Sequence, residues 1–82
     1  MHHKFEAMTP TTEFGKWLYE HMKERDMTCV DVAKVLHVTR QVVAFHVKGK
    51  YIPNYPFVVA YCWMFGDKPD DIWELVESER AR

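Results

Sequence analysis

Apolar residues recur at helical spacing in several stretches of the chain, and residues that favour turns separate these stretches. Within residues 13–25, Phe14, Leu18 and Met22 follow one another at four-residue steps and form one apolar stripe. Polar and charged residues fill most of the positions between them. The pattern predicts an amphipathic first helix that buries its stripe in a core.

The second and third predicted helices, about residues 28–36 and 39–48, have almost nothing between them. Thr28 is followed three residues later by Asp31, which is the spacing of a capping box. Thr39 stands where the next helix needs an N-terminal cap. The sequence therefore predicts two short helices joined by a tight turn.

Glycines at positions 49 and 66 predict the ends of the third and fourth helices. Glycine suits these ends because it adopts the left-handed conformation of a helix C-cap at little cost. The fourth helix is expected over about residues 56–65, after a loop with two prolines, and a fifth begins near Pro69. The expected fold class is all-α, with five helices.

Size and composition place these helices in one domain. The chain has 82 residues, 48% of them hydrophobic and 28% charged, as in folded proteins. We assign the domain to residues 11–78, with a flexible N-terminal arm at 1–10 and a C-terminal tail at 79–82. The longest apolar run, residues 57–65, is too short for a membrane span. Two widely separated cysteines and no signal-like start predict a cytoplasmic protein.

The net charge is only −1, but the charges are unevenly distributed. Residues 28–52 have a net charge of +3, whereas the segments before and after them are net negative. The charged residues of this central segment are Lys34, Arg40, Lys48 and Lys50, against Asp31. A basic centre between acidic flanks indicates one face that meets an anion.

The second and third helices also meet the requirements of a helix-turn-helix. Ala33 supplies the small residue that lets the two helices cross closely. Apolar residues that can face the core are Val32, Leu36, Val38 and Val43. The outer face of the third helix is left to Arg40, Gln41, Ala44 and Phe45. Such a face is free to meet the edges of bases.

From Phe14 to Ile72 the chain resembles the phage repressor and Cro-type (Xre-family) helix-turn-helix regulators. The resemblance lies in "EFGKWLYEHMKERDMT" for the first helix and its turn, and in "VAKVLHVTRQVVAFHVKGK" for the two-helix reader. It continues in the fourth helix with Pro53, Cys62, Phe65 and Gly66. It implies a repressor-like DNA-binding domain and a dimeric transcriptional repressor of phage or mobile-element origin that binds a palindromic operator.

The chain departs from the pattern of that family in three ways. His37 replaces the usual glycine of the turn, where a positive φ is expected and a non-glycine residue costs on the order of 1 kcal/mol. Met22 and Val47 replace a buried ion pair, and we predict that they touch. Cys29 replaces a glutamine that holds a phosphate, so it can offer only its backbone N–H.

In this interpretation the third helix enters the major groove of DNA. Arg40 matches guanine O6 and N7, and Gln41 matches adenine N6 and N7. Ala44 and Phe45 can meet thymine methyl groups. The alternative for Arg40 and Gln41 is a solvated helix face, and the alternative for Phe45 is packing beneath the loop at Tyr51.

Phosphate contacts are expected at the ends of both helices. The candidates are Thr28, Cys29, Thr39, Lys48, Lys50 and Tyr51. Such contacts set the register on DNA and make affinity fall with salt, but carry no sequence information. The alternative for Lys48 and Lys50 is that they are ordinary solvated lysines.

The fourth helix is apolar on every side, whereas a surface helix normally has a polar face. We therefore expect a homodimer interface, formed by Tyr61, Trp63, Met64 and Trp73. A two-fold dimer would place two reading helices over half-sites about one turn, roughly 34 Å, apart. The alternative is that the fifth helix covers this surface within one chain.

We expect no metal site, no catalytic activity and no cofactor. The spacing of Cys29, His37, His46 and Cys62 matches no zinc pattern, and no nucleophile stands with a base. His46 is interpreted as a half-buried structural histidine. Two other functions stay open: an antitoxin, and a helix-turn-helix-like interaction module, such as an antirepressor, that does not read DNA. A regulatory protein partner is also compatible with this sequence.

Overall fold

The computed structural model describes residues 7–81, and these residues form five α-helices without a strand. The helices are α1 (Glu13–Glu24), α2 (Cys29–Leu36), α3 (Arg40–Lys48), α4 (Tyr55–Phe65) and α5 (Pro69–Arg80). The predicted all-helical class and the five helices are confirmed. No helix in this part of the chain is both long and apolar enough to cross a membrane.

Side-chain caps begin four of the five helices. Thr12, Thr28, Thr39 and Asn54 each accept a hydrogen bond from a backbone N–H of the following turn. The capping box is complete, because the backbone N–H of Thr28 also donates to the Asp31 carboxylate at 2.9 Å. Each cap stabilises its helix by about 1 kcal/mol, so these local signals fix where the helices start.

Left-handed residues end the three central helices. His37 ends α2 with φ 58°, which confirms the predicted positive φ in the turn. Gly49 and Gly66 end α3 and α4 with φ 84° and 88°. The turn between α2 and α3 is therefore as short as the sequence predicts.

The core lies between α1 and the other four helices. Its buried apolar side chains are Phe14, Leu18, Met22, Cys29, Val32, Ala33, Val43, Val47, Val58, Tyr61, Cys62, Phe65, Ile72 and Val76. The α3 helix packs against α1 and α2, and α5 packs against α1 and α4. Met22 and Val47, the apolar replacements for the family's ion pair, are both fully buried in this core.

Close contact between the start of α1 and the end of α3 fixes the position of α3. A Cβ atom on Gly15 would overlap the carbonyl oxygen of Val47, so only glycine allows the two helices to approach this closely. The Thr11 hydroxyl donates to the carbonyl oxygen of Lys48 at 2.7 Å. The segment before α1 thus caps the carbonyl end of α3.

The described parts of the two predicted terminal segments pack against the rest of the domain. Residues 1–6 of the predicted arm lie outside the described residues, but the backbone N–H of Met8 donates to the Tyr19 hydroxyl at 3.2 Å and its side chain packs on the core. At the other end, α5 continues to Arg80, whose guanidinium donates to the carbonyl oxygen of Pro53 at 3.4 Å. The helix therefore includes the first two residues of the segment predicted as a tail.

Candidate nucleic-acid interface

An open groove of about 420 Å³ joins the N-terminus of α2 to the outer face of α3. It is lined by Cys29, Thr39, Arg40, Gln41, Ala44 and Lys48. All six are among the residues that the sequence suggests for DNA contacts, and the fold brings Cys29 next to residues ten and more positions later in the chain. We call this surface the α2–α3 groove.

Arg40 and Gln41 are exposed at the start of α3. Neither side chain makes a hydrogen bond or an ion pair with another described residue. Their donors and acceptors can therefore bind another molecule without breaking a contact within the chain. A solvated helix face would have the same exposure, so the groove beside them is what distinguishes this surface.

Phe45 lies outside the α2–α3 groove. Its ring packs edge-on against Tyr51, with centroids 4.8 Å apart, and the Lys50 ammonium lies 4.8 Å above the same ring. The structure thus favours packing beneath the Tyr51 loop over contact with a thymine methyl group. Through these contacts Phe45 holds Lys50 and Tyr51, two of the candidate phosphate-binding residues, in place across the turn at Gly49.

The candidate phosphate-binding residues around α2 and α3 differ in what they can offer. The oxygens of Thr28 and Thr39 accept backbone hydrogen bonds as helix caps, which leaves each hydroxyl proton available to a phosphate. Cys29 lines the groove at the N-terminus of α2, but it is only 1% exposed, so its thiol cannot reach a ligand. Lys48 is exposed at the far end of the groove.

A buried polar contact anchors α3 from below. His46 is 4% exposed, and its Nδ1 lies 2.8 Å from the Tyr61 hydroxyl on α4. Burial lowers the pKa of His46 to about 4 and raises the pKa of Tyr61 above its ordinary value. The imidazole is therefore neutral near pH 7, and it is more deeply buried than the half-buried histidine expected from the sequence.

The four residues expected at a dimer interface do not share one surface. Tyr61 is fully buried in the core of a single chain, which corrects the prediction that it faces a partner. Met64 is partly buried against the core, and Trp73 packs at right angles against Tyr55 with centroids 5.3 Å apart. Trp63 alone is largely in solvent, with 80% of its surface exposed.

Two residues that the sequence did not indicate share the exposed side of α4 with Trp63. Tyr55 and Val59 are 41% and 38% exposed. With Trp63 they are spaced four residues apart, which places all three on one helix face. This spacing was the available signal, but a helix that is apolar all round does not show which face is buried.

A polar contact that the sequence did not indicate holds the turn after α4 against α1. The Asp67 carboxylate accepts a hydrogen bond from Trp17 Nε1 at 2.6 Å and lies 3.0 Å from His21 Nε2. The hydrogen bond from Trp17, and then the contact with His21, lowers the pKa of Asp67 despite partial desolvation. This contact fixes the end of α4 and so supports the helix on which α3 rests.

The part of the chain that the structure describes contains no group of three or more histidine, cysteine or acidic side chains placed to hold a metal ion. Cys29 and Cys62 are buried and form no disulfide. A comparison of the chain with protein-family models, curated proteins and solved structures found no match.

Proposed function

We propose that the protein is a sequence-specific DNA-binding regulator in which α2 and α3 form a repressor-type helix-turn-helix. The observation that supports this best is the α2–α3 groove. It combines two exposed cations, Arg40 and Lys48, with the amide of Gln41 and the N-terminus of a helix. These are the groups that proteins use to read bases and to hold phosphates.

Within this proposal, each side of the groove has its own role. Arg40 and Gln41, at the start of α3, read guanine and adenine through paired hydrogen bonds. Ala44 leaves room on the next turn of α3 for a thymine methyl group. Lys48 and the N-terminus of α2 bind phosphates on either side of the groove, because ammonium groups and helix N-termini attract anions.

The proposed DNA-binding form is a homodimer that represses transcription from a palindromic operator. The α3 helix has nine residues, and a single short helix contacts few base pairs. A two-fold dimer doubles the contacts over half-sites about one helical turn apart. The exposed apolar side of α4 supports self-association, and the next subsection develops this point.

The experiment that tests the DNA-binding proposal is selection of bound duplexes from a random pool at physiological salt. Wild type should enrich an inverted repeat. Arg40→Ala should lose the preference at one base pair per half-site, an effect of about 1–3 kcal/mol. Lys34→Ala is the matched control, because Lys34 is an exposed cation on α2 outside the groove. Enrichment of no sequence, even at low salt, would overturn the proposal.

One observation favours the second candidate function, a protein-interaction module that does not read DNA. Trp63 is 80% exposed, and large exposed apolar side chains often mark protein contacts. The two functions differ in their response to salt, because only DNA binding requires release of counterions.

A further inference from the structure

The α4 helix has one buried face and one apolar face in solvent. Val58, Tyr61, Cys62 and Phe65 face the core at helical spacing. Val59 and Trp63 lie on the other side, 38% and 80% exposed. The indole N–H of Trp63 makes no hydrogen bond with another described residue. Exposing so much apolar surface is unfavourable in water, so this face is expected to be covered.

A second feature of the same face is an open apolar socket of about 200 Å³. It is lined by Leu36, Val38, Pro56, Phe57 and Ala60. Pro56 and Ala60 lie seven and three residues before Trp63, so they share its side of α4. The socket has an apolar lining, which suits an aromatic side chain. We call this surface the α4 socket.

We infer that Trp63 of one chain inserts into the α4 socket of a second copy, and that the second copy returns the same contact. This inference rests on the dimeric form of the proposed function and names the surface that forms the dimer. Trp63 does not fill the socket of its own chain, because it is 80% exposed and is not among the residues that line the socket.

An antiparallel pair of α4 helices satisfies this geometry. A two-fold axis close to Ala60 places Trp63 of each chain opposite residues 57–58 of the other, directly over the socket. The small side chain of Ala60 then lets the two helix backbones approach at the axis. The projecting Trp63 and the socket lie on the same surface of each chain, so both copies use the same patch. The contact is therefore isologous and closes at two copies.

Charge also favours a second copy over an unrelated partner. Residues 55–65 contain no charged side chain, so antiparallel pairing opposes no like charges along α4. An unrelated charged partner would find no complementary group on this helix. The contact is therefore complete with two identical chains.

Sedimentation equilibrium of the full chain without DNA tests this inference. Wild type should form dimers, and Trp63→Ala should weaken the dimer at least about 30-fold, as expected for a central aromatic residue. Pro56→Glu should weaken it similarly by placing a charge in the socket. Glutamate is compatible with folding there, because Pro56 is exposed in the first turn of α4. Val35→Ala, at an apolar α2 residue that is 46% exposed, should leave the dimer unchanged.

A mixture of the two defective variants gives the sharpest result. Trp63→Ala retains the socket and Pro56→Glu retains the indole, so their heterodimer has one intact contact and should form more readily than either homodimer. Wild type that stays monomeric at millimolar concentration would overturn the inference, as would a dimer that survives both substitutions or a mixture that stays monomeric. Circular dichroism melting confirms that each variant is folded.

The same variants separate this inference from the DNA-binding proposal. Trp63→Ala should still bind a single half-site duplex if α3 reads DNA, even as a monomer. Arg40→Ala should dimerise normally and lose its base preference. A wild type that stays monomeric but binds a half-site duplex would overturn only the α4 contact. A wild type that dimerises but binds no DNA would overturn only the DNA-binding proposal.

Discussion

The imidazole of His46 is buried on the inner side of α3, where it meets the Tyr61 hydroxyl at 2.8 Å. The contact satisfies both polar groups without a charge, which is how a titratable residue is tolerated beneath a helix end. Protonation would place a charge in this site. The residue that supports the candidate reading helix is therefore also one that responds to acid.

We expect the free energy of unfolding to fall between pH 7 and pH 5 because of His46. Burial lowers its pKa in the folded chain to about 4, against 6.5 for the ordinary residue. Below pH 6.5 the unfolded chain therefore binds a proton that the folded chain does not, so stability is lost as pH falls towards 4. The loss from this residue is about 2 kcal/mol by pH 5.

Urea unfolding of wild type and His46→Gln at both pH values measures this effect. Glutamine keeps a polar partner for Tyr61 but does not titrate, so the variant should lose less stability between the two pH values. His37→Gln makes the same substitution at an exposed position and controls for the general effect of replacing histidine with glutamine. Equal pH dependence in wild type and His46→Gln would contradict the assignment.

At the scale of helices, the parts that the sequence predicts well are those set by local chemistry. The start of α2 is set by the capping box of Thr28 and Asp31, and its end by the left-handed His37. The start of α3 is set by the Thr39 cap. Such signals do not depend on the rest of the fold. Gly49 is predictable for the same reason.

The direction of each side chain of α4 could not be predicted in this way. Tyr61 and Trp63 are two positions apart, about 200° around a helix, so they point to opposite sides. A helix with apolar residues all round gives no pattern that distinguishes its core face. Similarly, Phe45 could face DNA or the Tyr51 loop, and only the path of the chain after Gly49 decides between them.

The contact between α1 and α3 leads to a prediction at this scale. Gly15→Ala should destabilise the protein by about 1–3 kcal/mol, although alanine is normally the better helix former. The added Cβ overlaps the carbonyl oxygen of Val47, a backbone atom that cannot rotate away, so α1 and α3 must separate. Urea unfolding measures the change. Lys16→Ala, at the neighbouring exposed position of α1, should be nearly neutral, and a stabilised Gly15→Ala variant would contradict the close contact.

At the scale of the whole molecule, the distribution of charge bears on the proposed DNA binding. The net charge is −1, yet residues 28–52 carry +3, and α5 has acidic side chains along most of its length. An acidic helix repels the phosphate backbone, while the cations of α2 and α3 attract it. The proposed DNA binding therefore does not require an overall positive charge, provided that it uses the face formed by α2 and α3.

This arrangement predicts that the two cations of the α2–α3 groove differ in their effects. Lys48→Ala should weaken binding to all duplexes alike and reduce the slope of log affinity against log salt by about 0.9 per bound chain, the value for one lost phosphate contact. Arg40→Ala should weaken the selected operator more than a scrambled duplex, because its contact is with a base. Fluorescence anisotropy over a series of salt concentrations separates the two effects. Lys34→Ala, which removes a cation outside the groove, should retain the wild-type slope. If Lys34→Ala and Lys48→Ala reduced the slope equally, residues 28–52 would attract DNA by net charge alone, and the groove would not position the DNA.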